Sequence, residues 1–156
     1  MNGKHVVYLG LGSNLGNKKK NIQLALDKIQ ERIGEVTACS AFFTTEPIGF
    51  ESPNLFVNAA CRIETRQSPE EVLAATQQIE REMGRTSKSY NKVYTDRIID
   101  IDILLYDSLI VDTPDLVLPH PYLHERDFVL LPLAEVAGEV IHPTLKKTIS
   151  ELKSNR

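Results

Sequence analysis

The stretch from Arg97 to Tyr106 (Arg-Ile-Ile-Asp-Ile-Asp-Ile-Leu-Leu-Tyr) constrains the chain more than any other. Its run of isoleucine, leucine and tyrosine reads as a buried strand, because β-branched and aromatic side chains fit a pleated, packed surface. Within it lie Asp100 and Asp102. Alternate residues of a strand share a face, so the two carboxylates stand side by side, roughly 7 Å apart at about 3.3 Å per residue. The odd positions Ile99, Ile101, Ile103 and Leu105 form an apolar face that has to be packed. Two like charges beside a greasy strand repel one another, and each loses hydration if the face is partly dry. A divalent cation between them relieves both penalties, and a simply wet second face avoids them. Both readings are open from the strand alone.

The rest of the composition narrows the class. At 156 residues, with 42% hydrophobic and 25% charged side chains, the chain fits one globular domain spanning 1–156 with a substantial core. The net charge of −3 argues against a general nucleic-acid or membrane-surface binder. No apolar run approaches the length of a transmembrane helix, and the first residues lack a signal-peptide pattern. Cys39 and Cys61 lack metal or redox spacing and are expected to be buried, reduced thiols. A cytoplasmic location is the expectation.

Residues 5–11 predict a first strand, followed by a turn at Gly12-Ser13-Asn14-Leu15-Gly16-Asn17. With Gly10 this cluster suggests a phosphate loop, but the spacing fits neither the dinucleotide fingerprint nor a Walker A loop. A strand-to-helix turn capped by Asn14 or Asn17 remains, beside close approach of a ligand to the glycine backbone. Ile22, Leu26, Ile29 and Ile33 make one helical stripe over 18–33, with Gly34 as its stop. A second strand is expected over 36–45 and a third over 56–65. In the third, Val57, Ala59, Cys61 and Ile63 suit a core, while Phe56 and Asn58 share the other face. A ring beside an amide suits a flat heteroaromatic ligand, which one stacks on and the other hydrogen-bonds.

Ser68-Pro69-Glu70-Glu71 opens a second helix as a capping box, continued by Val72, Thr76, Ile79 and Met83 and ended by Gly84. Gln77 and Glu80 lie on its polar flank. Residues 85–96 have no period and little core material, and they carry Arg85, Lys88 and Lys92 beside the paired aspartates. A binding loop of this kind suits a polyphosphate held with a divalent metal. His120 and His124 are four apart, but Pro121 and the missing glutamate make a zinc pair a poor reading; histidine as a phosphate or ribose donor fits better. A helix is expected over 128–137, with a last helical turn near 148–152. The resulting strand and helix order predicts an α+β, ferredoxin-like βαββαβ fold. Its sheet is mostly antiparallel, with helices on one face and a C-terminal extension. The other face, carrying Phe56, Asn58, Asp100 and Asp102, is left for a ligand.

Several blocks occur together and in order: Gly12-Ser13-Asn14-Leu15, Thr45-Glu46-Pro47-Ile48-Gly49, Phe56-Val57-Asn58-Ala59, Gly84-Arg85, Arg97 through Leu104, and Pro119-His120-Pro121 through Phe128. Over nearly its whole length the chain resembles the 6-hydroxymethyl-7,8-dihydropterin pyrophosphokinase family. The resemblance implies transfer of the β,γ-pyrophosphoryl group of ATP to the pterin hydroxymethyl oxygen, with release of AMP. It implies two magnesium ions on Asp100 and Asp102, with Arg85 and Arg97 on the phosphates. Gln77, Glu80, Arg85, Arg97, Ile103, His120 and Arg126 match nucleotide contacts. Phe56 and Phe128 match the rings that stack on the pterin, while Asn14, Thr45, Ile48 and Asn58 match residues lining it and reading its edge. A monomer is expected, binding ATP and the pterin but neither nucleic acid nor membrane.

The chain departs from the family pattern at five positions. Glu46 stands where proline is common, Ser87 where a further arginine often lies, Tyr94 for a frequent tryptophan, Asp96 for a frequent proline and Tyr122 for a frequent arginine. Two other classes compete: a metal-dependent nuclease or glycosyltransferase using the Asp-x-Asp pair, and a non-catalytic ferredoxin-like module. The first suits neither the length nor the charge, and the second leaves the basic loop without a role.

Overall fold

The computed structural model describes residues 3–45, 55–84 and 98–155. Strand β1 (His5–Ser13) is followed by α1 (Lys18–Arg32), β2 (Glu35–Cys39), β3 (Phe43–Thr45) and β4 (Phe56–Thr65). Then come α2 (Pro69–Glu82), β5 (Asp100–Tyr106), the short pair β6 (Val111–Asp112) and β7 (Val117–Leu118), α3 (Asp127–Ala137) and α4 (Ile149–Ser154). The main sheet runs β2-β4-β1-β5, with β3 continuing the edge beside β4, and every pairing is antiparallel. This is the expected ferredoxin-like order. The strand expected over 36–45 is broken into β2 and β3, which pair with opposite ends of β4. At the break, buried Ser40 takes the Ala60 N–H on its Oγ at 2.9 Å, while its own N–H reaches the Ala60 carbonyl. The side chain thus replaces a ladder bond there.

Local signals explain the helix ends. The Asn17 side chain caps α1 by accepting from Lys20 N, and Ser68 and Glu71 form the reciprocal box at the start of α2. Gly34 is required for space: a Cβ there would lie 2.2 Å from the Glu64 carbonyl oxygen. Ile22, Leu26, Ile29 and Ile33 of the first stripe, with Val72 and Ile79 of α2, pack on Val7, Leu9, Leu11, Val57, Ala59, Cys61 and Ile63.

The strand over 100–106 departs from strict alternation. A bulge shifts the register between Tyr8 and Leu9, so Leu9 faces Ile103 while Tyr8 faces Leu105. Ile99, Ile101 and Ile103 lie under α1 and α2 as expected, but Leu105 joins Leu104 in a second core on the opposite face, and Tyr106 takes the place in the first. The second core is closed by Leu123, by Leu130, Leu133 and Ala137 of α3, and by Ile149 and Leu152 of α4. The C-terminal extension therefore roofs half of the second face, over Tyr8 and Ala60. Cys61 is buried and its thiol is pushed up to about 12 by burial, but Cys39 is exposed, contrary to the sequence reading. Cys39 is the last residue of β2, an edge strand whose alternate residues face outward. Among the described residues no helix is long and apolar enough to cross a membrane.

Helices α1 and α2 are tied by Glu82, whose carboxylate accepts from Arg32 Nη1 at 2.6 Å and from Lys28 Nζ at 3.4 Å. The Arg32 hydrogen bond, helped by Gln78, lowers its pKa from 4.5 to about 2. A carboxylate lowered in the folded state stabilises the fold above its unfolded value and loses that contribution as pH falls toward the folded one. Glu82→Gln should therefore lower the thermal midpoint at pH 7, and its gap from the parent protein should close between pH 4.5 and about 2. A gap that stays constant through that titration would count against this tie.

Candidate functional site

The uncovered half of the second face is organised by β1. Its residues alternate: Val7, Leu9 and Leu11 go to the helix side, while Tyr8, Gly10 and Gly12 go to the other. Sequence reading placed Gly12 in a turn after residue 11, but β1 runs on to Ser13, so both glycines are strand residues. The turn follows them, with Gly16 at φ +69°. It is pinned from α1 by Asn21, whose amide donates to Ser13 Oγ at 3.2 Å and to the Leu15 carbonyl at 2.8 Å. Gly12 pairs with Asn58 of β4 on one side and with Asp100 of β5 on the other; Gly10 pairs in the same way with Ala60 and Asp102. The register thus draws two lines across the sheet, Asn58–Gly12–Asp100 and Ala60–Gly10–Asp102. Glycine at the middle of each leaves a floor of bare backbone between the amide side and the carboxylate side. Glycine inside a strand often marks such a close approach.

Around this floor stand most of the described candidates. Phe56 and Phe43 flank Asn58: Phe43 is the register partner of Asn58, and Thr45 is that of Phe56. Asn58 is buried, as is Asn14, one residue beyond the Ser13–Val57 pair and so level with Phe56. Lys18 Nζ donates to the Leu55 carbonyl at 2.9 Å, fixing the entry to β4. On the other side, Asp102 is half exposed and His120 Nε2 lies 4.0 Å from its Oδ2. His120 is brought there by its own N–H, which donates to the Leu104 carbonyl of β5. Its Nδ1 accepts the Tyr122 N–H at 3.2 Å, which leaves the Nε2 proton facing Asp102. Burial and then the charge of Arg126 lower the His120 pKa, partly opposed by Asp100, so the ring is neutral near pH 7. His124 turns elsewhere, its Nε2 lying 3.5 Å from Glu125. Arg126 is the N-cap of α3, and its guanidinium carbon lies 4.4 Å above the Tyr122 ring and 5.8 Å from the Phe128 ring.

Gln77, Glu80 and Ile103 are placed differently from these. Ile103 is buried beneath the helices, on the face opposite Asp102, so only its backbone is available at the sheet edge. Gln77 is exposed on α2. Glu80, read from sequence as a polar-flank residue, is buried and accepts the Ile101 N–H at 2.7 Å. Glu80 thus meets β5, the outer strand of the sheet, from the helix side, Ile103 lies within that strand, and His120 borders it from the other side. Arg85, Arg97 and Ile48, and the whole 85–96 loop, lie outside the described residues, as does the Thr45 side chain. Sequence reasoning raised close ligand approach at the Gly10 and Gly12 cluster but read Gly12 as a turn residue, and it named Tyr122 only as a departure from the family pattern; the β1 alternation, continued through Tyr8, Gly10, Gly12 and Asn14, carried the signal for the two glycines as strand residues. Among the described residues no three His, Cys, Asp or Glu side chains gather as a closed metal cage. Two carboxylates on an open face suit a hard cation that keeps waters and takes phosphate oxygens as further ligands.

The domain is thus a ferredoxin-like sheet whose open face sets a buried amide and a ring across a glycine floor from two carboxylates. Residues 8–138 match the family described as 7,8-dihydro-6-hydroxymethylpterin-pyrophosphokinase (HPPK). The chain is 49% identical over 139 residues to the 2-amino-4-hydroxy-6-hydroxymethyldihydropteridine pyrophosphokinase of Porphyromonas gingivalis, covering 88% of this chain and 94% of the relative. It is 38% identical to the Aquifex aeolicus protein of the same name, over 94% of this chain and 89% of that one. In fold it is similar to the crystal structure of wild-type Plasmodium falciparum HPPK-DHPS, with a TM-score of 0.81 at 17% identity over 97% of this chain. It spans 44% of that longer polypeptide. The chain belongs to the 7,8-dihydro-6-hydroxymethylpterin-pyrophosphokinase family.

The floor makes a specific demand. A Cβ on Gly12 would lie 2.9 Å from Asn58 Oδ1 and 3.6 Å from the Phe56 ring. The Asn58 amide, the far end of a flexible side chain, is what must shift, so Gly12→Ala is expected to fold. Displacing the amide should weaken pterin binding by about 1–3 kcal/mol, the usual cost of a lost or misplaced buried hydrogen bond. Calorimetric titration with the pterin checks this, and unchanged affinity would show that Asn58 and Gly12 do not border the ligand.

Proposed function

We propose that this chain transfers the pyrophosphoryl group of ATP to the hydroxymethyl oxygen of 6-hydroxymethyl-7,8-dihydropterin, giving AMP and the pterin pyrophosphate, with magnesium as the required cation. The observation that carries the reading is the register line Asn58–Gly12–Asp100. Two strand spacings separate the amide strand from the carboxylate strand, about 9–10 Å. That matches a bicyclic ring read by Asn58 at one end with its hydroxymethyl arm reaching toward Asp100.

In this reading Phe56 and Phe128 stack on the pterin faces, and Asn58, Asn14, Thr45 and the Ile48 backbone meet its edge. Asp100 and Asp102 hold two magnesium ions, and their all-oxygen donor set on a half-open face supports that choice over zinc. Bound there, magnesium supplies charge neutralisation for the triphosphate and acidifies the attacking hydroxyl. Neutral His120 offers its Nε2 proton to a phosphate or ribose oxygen beside Asp102, and Arg126 adds a fixed positive charge. Arg85 and Arg97 are assigned to the phosphates, and Gln77, Glu80 and the Ile103 backbone to the nucleoside along the outer edge of β5. The hydroxymethyl oxygen attacks the β-phosphorus in line, the bond from that phosphorus to the α-phosphate oxygen breaks, AMP leaves, and the hydroxyl proton passes to solvent. The work of the residues is to align the two substrates and to match the charge that develops.

The test is AMP release from ATP and magnesium, with and without the hydroxymethyl pterin. Pterin-dependent AMP is expected, and Asp102→Asn should reduce turnover by about a hundredfold or more. AMP formation that ignores the pterin, or an Asp102→Asn variant with full turnover, would sink the proposal. Phe128→Ala should weaken pterin binding by about three- to tenfold while leaving ATP binding near its parent value; equal losses for both ligands would remove Phe128 from the stacking role.

A further inference from the structure

The two cysteines, 22 positions apart in sequence, are direct partners across the β2–β4 ladder: Cys39 faces Cys61. The pairing depends on a bulge. The register shifts between Val36 and Ala38, with Thr37 as the extra residue, so Val36 and Cys39 pair with the core-facing residues Ile63 and Cys61. Directly opposed residues project from the same side of a sheet, which puts both thiols on the helix side.

The next rung shows which kind of pair this is. Ser40 N–H donates to the Ala60 carbonyl at 2.8 Å, and Ala60 N–H donates to Ser40 Oγ at 2.9 Å. Ser40 and Ala60 are thus joined by hydrogen bonds, and narrow and wide rungs alternate along an antiparallel ladder. Cys39 and Cys61 therefore form the non-hydrogen-bonded rung, where Cα atoms stand about 4.5 Å apart and side chains come closest. That spacing falls inside the range of about 4.4–6.8 Å that a disulfide spans. The strands are also tied beyond the pair, where Thr37 Oγ1 donates to the Arg62 carbonyl at 3.2 Å. No backbone movement is needed to bring the sulfurs together.

The two thiols differ in access. Both are free in this structure, Cys39 exposed at the end of an edge strand and Cys61 completely buried. Burial raises both above the usual thiol value, Cys61 to about 12, and the charge of Cys39 adds to the rise at Cys61. A reagent in solution can meet only Cys39, while Cys61 can meet only Cys39.

We propose that Cys39 and Cys61 form a thiol modification site for small disulfides of the glutathione class, in which Cys39 is the entry thiol and Cys61 the resolving thiol. The Cys39 thiolate attacks one sulfur of oxidised glutathione; that S–S bond breaks, a mixed disulfide forms on Cys39 and one glutathione leaves, taking up a proton. Cys61 then loses its proton and attacks Cys39 Sγ, and the second glutathione leaves. Two protein thiols are oxidised to one disulfide as one small disulfide is reduced to two thiols. The second step is intramolecular between preplaced sulfurs, so a small thiolate fraction at Cys61 suffices.

The experiment incubates the reduced full chain with oxidised glutathione and follows intact mass and disulfide-linked peptides with time. The parent should first gain one glutathione and then lose it, ending two hydrogens lighter with Cys39 linked to Cys61, and dithiothreitol should restore the starting mass. Cys61→Ala should stop at the mixed disulfide. Cys39→Ser should react at least about tenfold more slowly, because its remaining thiol is buried. A parent that stops at the mixed disulfide, a Cys39→Ser variant that reacts at the parent rate, a Cys39-linked dimer as the main product, or a cross-link that forms only in urea would each overturn the proposal. The parent's own time course carries the test should Cys61→Ala fail to fold.

Discussion

The half-open face depends on what β1 lacks. It is an interior strand, paired on both edges, and its two outward positions beside the candidate site are Gly10 and Gly12. Glycine weakens a strand interior by losing more backbone freedom and packing nothing. β1 tolerates two because its other face is fully packed by Val7, Leu9 and Leu11, and both edges carry ladder bonds. Side chains at those positions would fill the trough: a Cβ on Gly12 meets Asn58, and a Cβ on Gly10 comes within 3.3 Å of Leu104. The same absence that exposes backbone to a ligand also lets Leu104 lie across the strand and close the second core.

That second core decides where the trough ends. Without α3 and α4 the sheet would expose Tyr8, Ala60 and Leu104 beside the polar residues, as one long apolar and polar surface. With them, the apolar half is roofed, and α3 delivers Arg126 and Phe128 at its N-terminal end to the border of the open half. Glu135, later on the same helix, accepts the Ala41 N–H at 2.8 Å and ties α3 to the connection that precedes β3. The bulge in β5 serves this division. It sends both Leu104 and Leu105 into the roofed core while keeping Ile101 and Ile103 in the first one. Asp100 and Asp102 lie before the bulge, where alternation is strict, so their shared face is secure.

Much of this was legible in the residues. The stripe Ile22, Leu26, Ile29 and Ile33, the Ser68–Glu71 capping box and the alternation Val57, Ala59, Cys61 and Ile63 each carry a local physical signal that tertiary packing does not override. What sequence reading misplaced depended on partners far along the chain. Gly12 resembles a turn residue until β4 and β5 are known to pair on both sides of it. Leu105 belongs to the odd-numbered face until an extra residue opposite Tyr8 and Leu9 shifts the register. Glu80 resembles surface until β5 offers the Ile101 N–H. The Asp100 and Asp102 pair was readable because like charges one step apart on an apolar strand are costly wherever the strand lies.

The electrostatics of the carboxylate side follow from the same placement. Asp100 and Asp102 are drawn onto one face by strand geometry, and no cage of other acidic or histidine ligands surrounds them among the described residues. Two carboxylates on a half-open face suit a hard cation that also takes oxygens from a ligand. His120 fits that arrangement as a neutral donor. Its lowered pKa keeps it from competing as a second cation, while its Nδ1 bond to the Tyr122 N–H leaves the other nitrogen able only to donate. The positive charge nearby is carried by Arg126, whose guanidinium lies over the Tyr122 ring and near that of Phe128. Paired carboxylates and an arginine thus share one small region, each placed by its own element: the aspartates by β5 and the arginine by the start of α3.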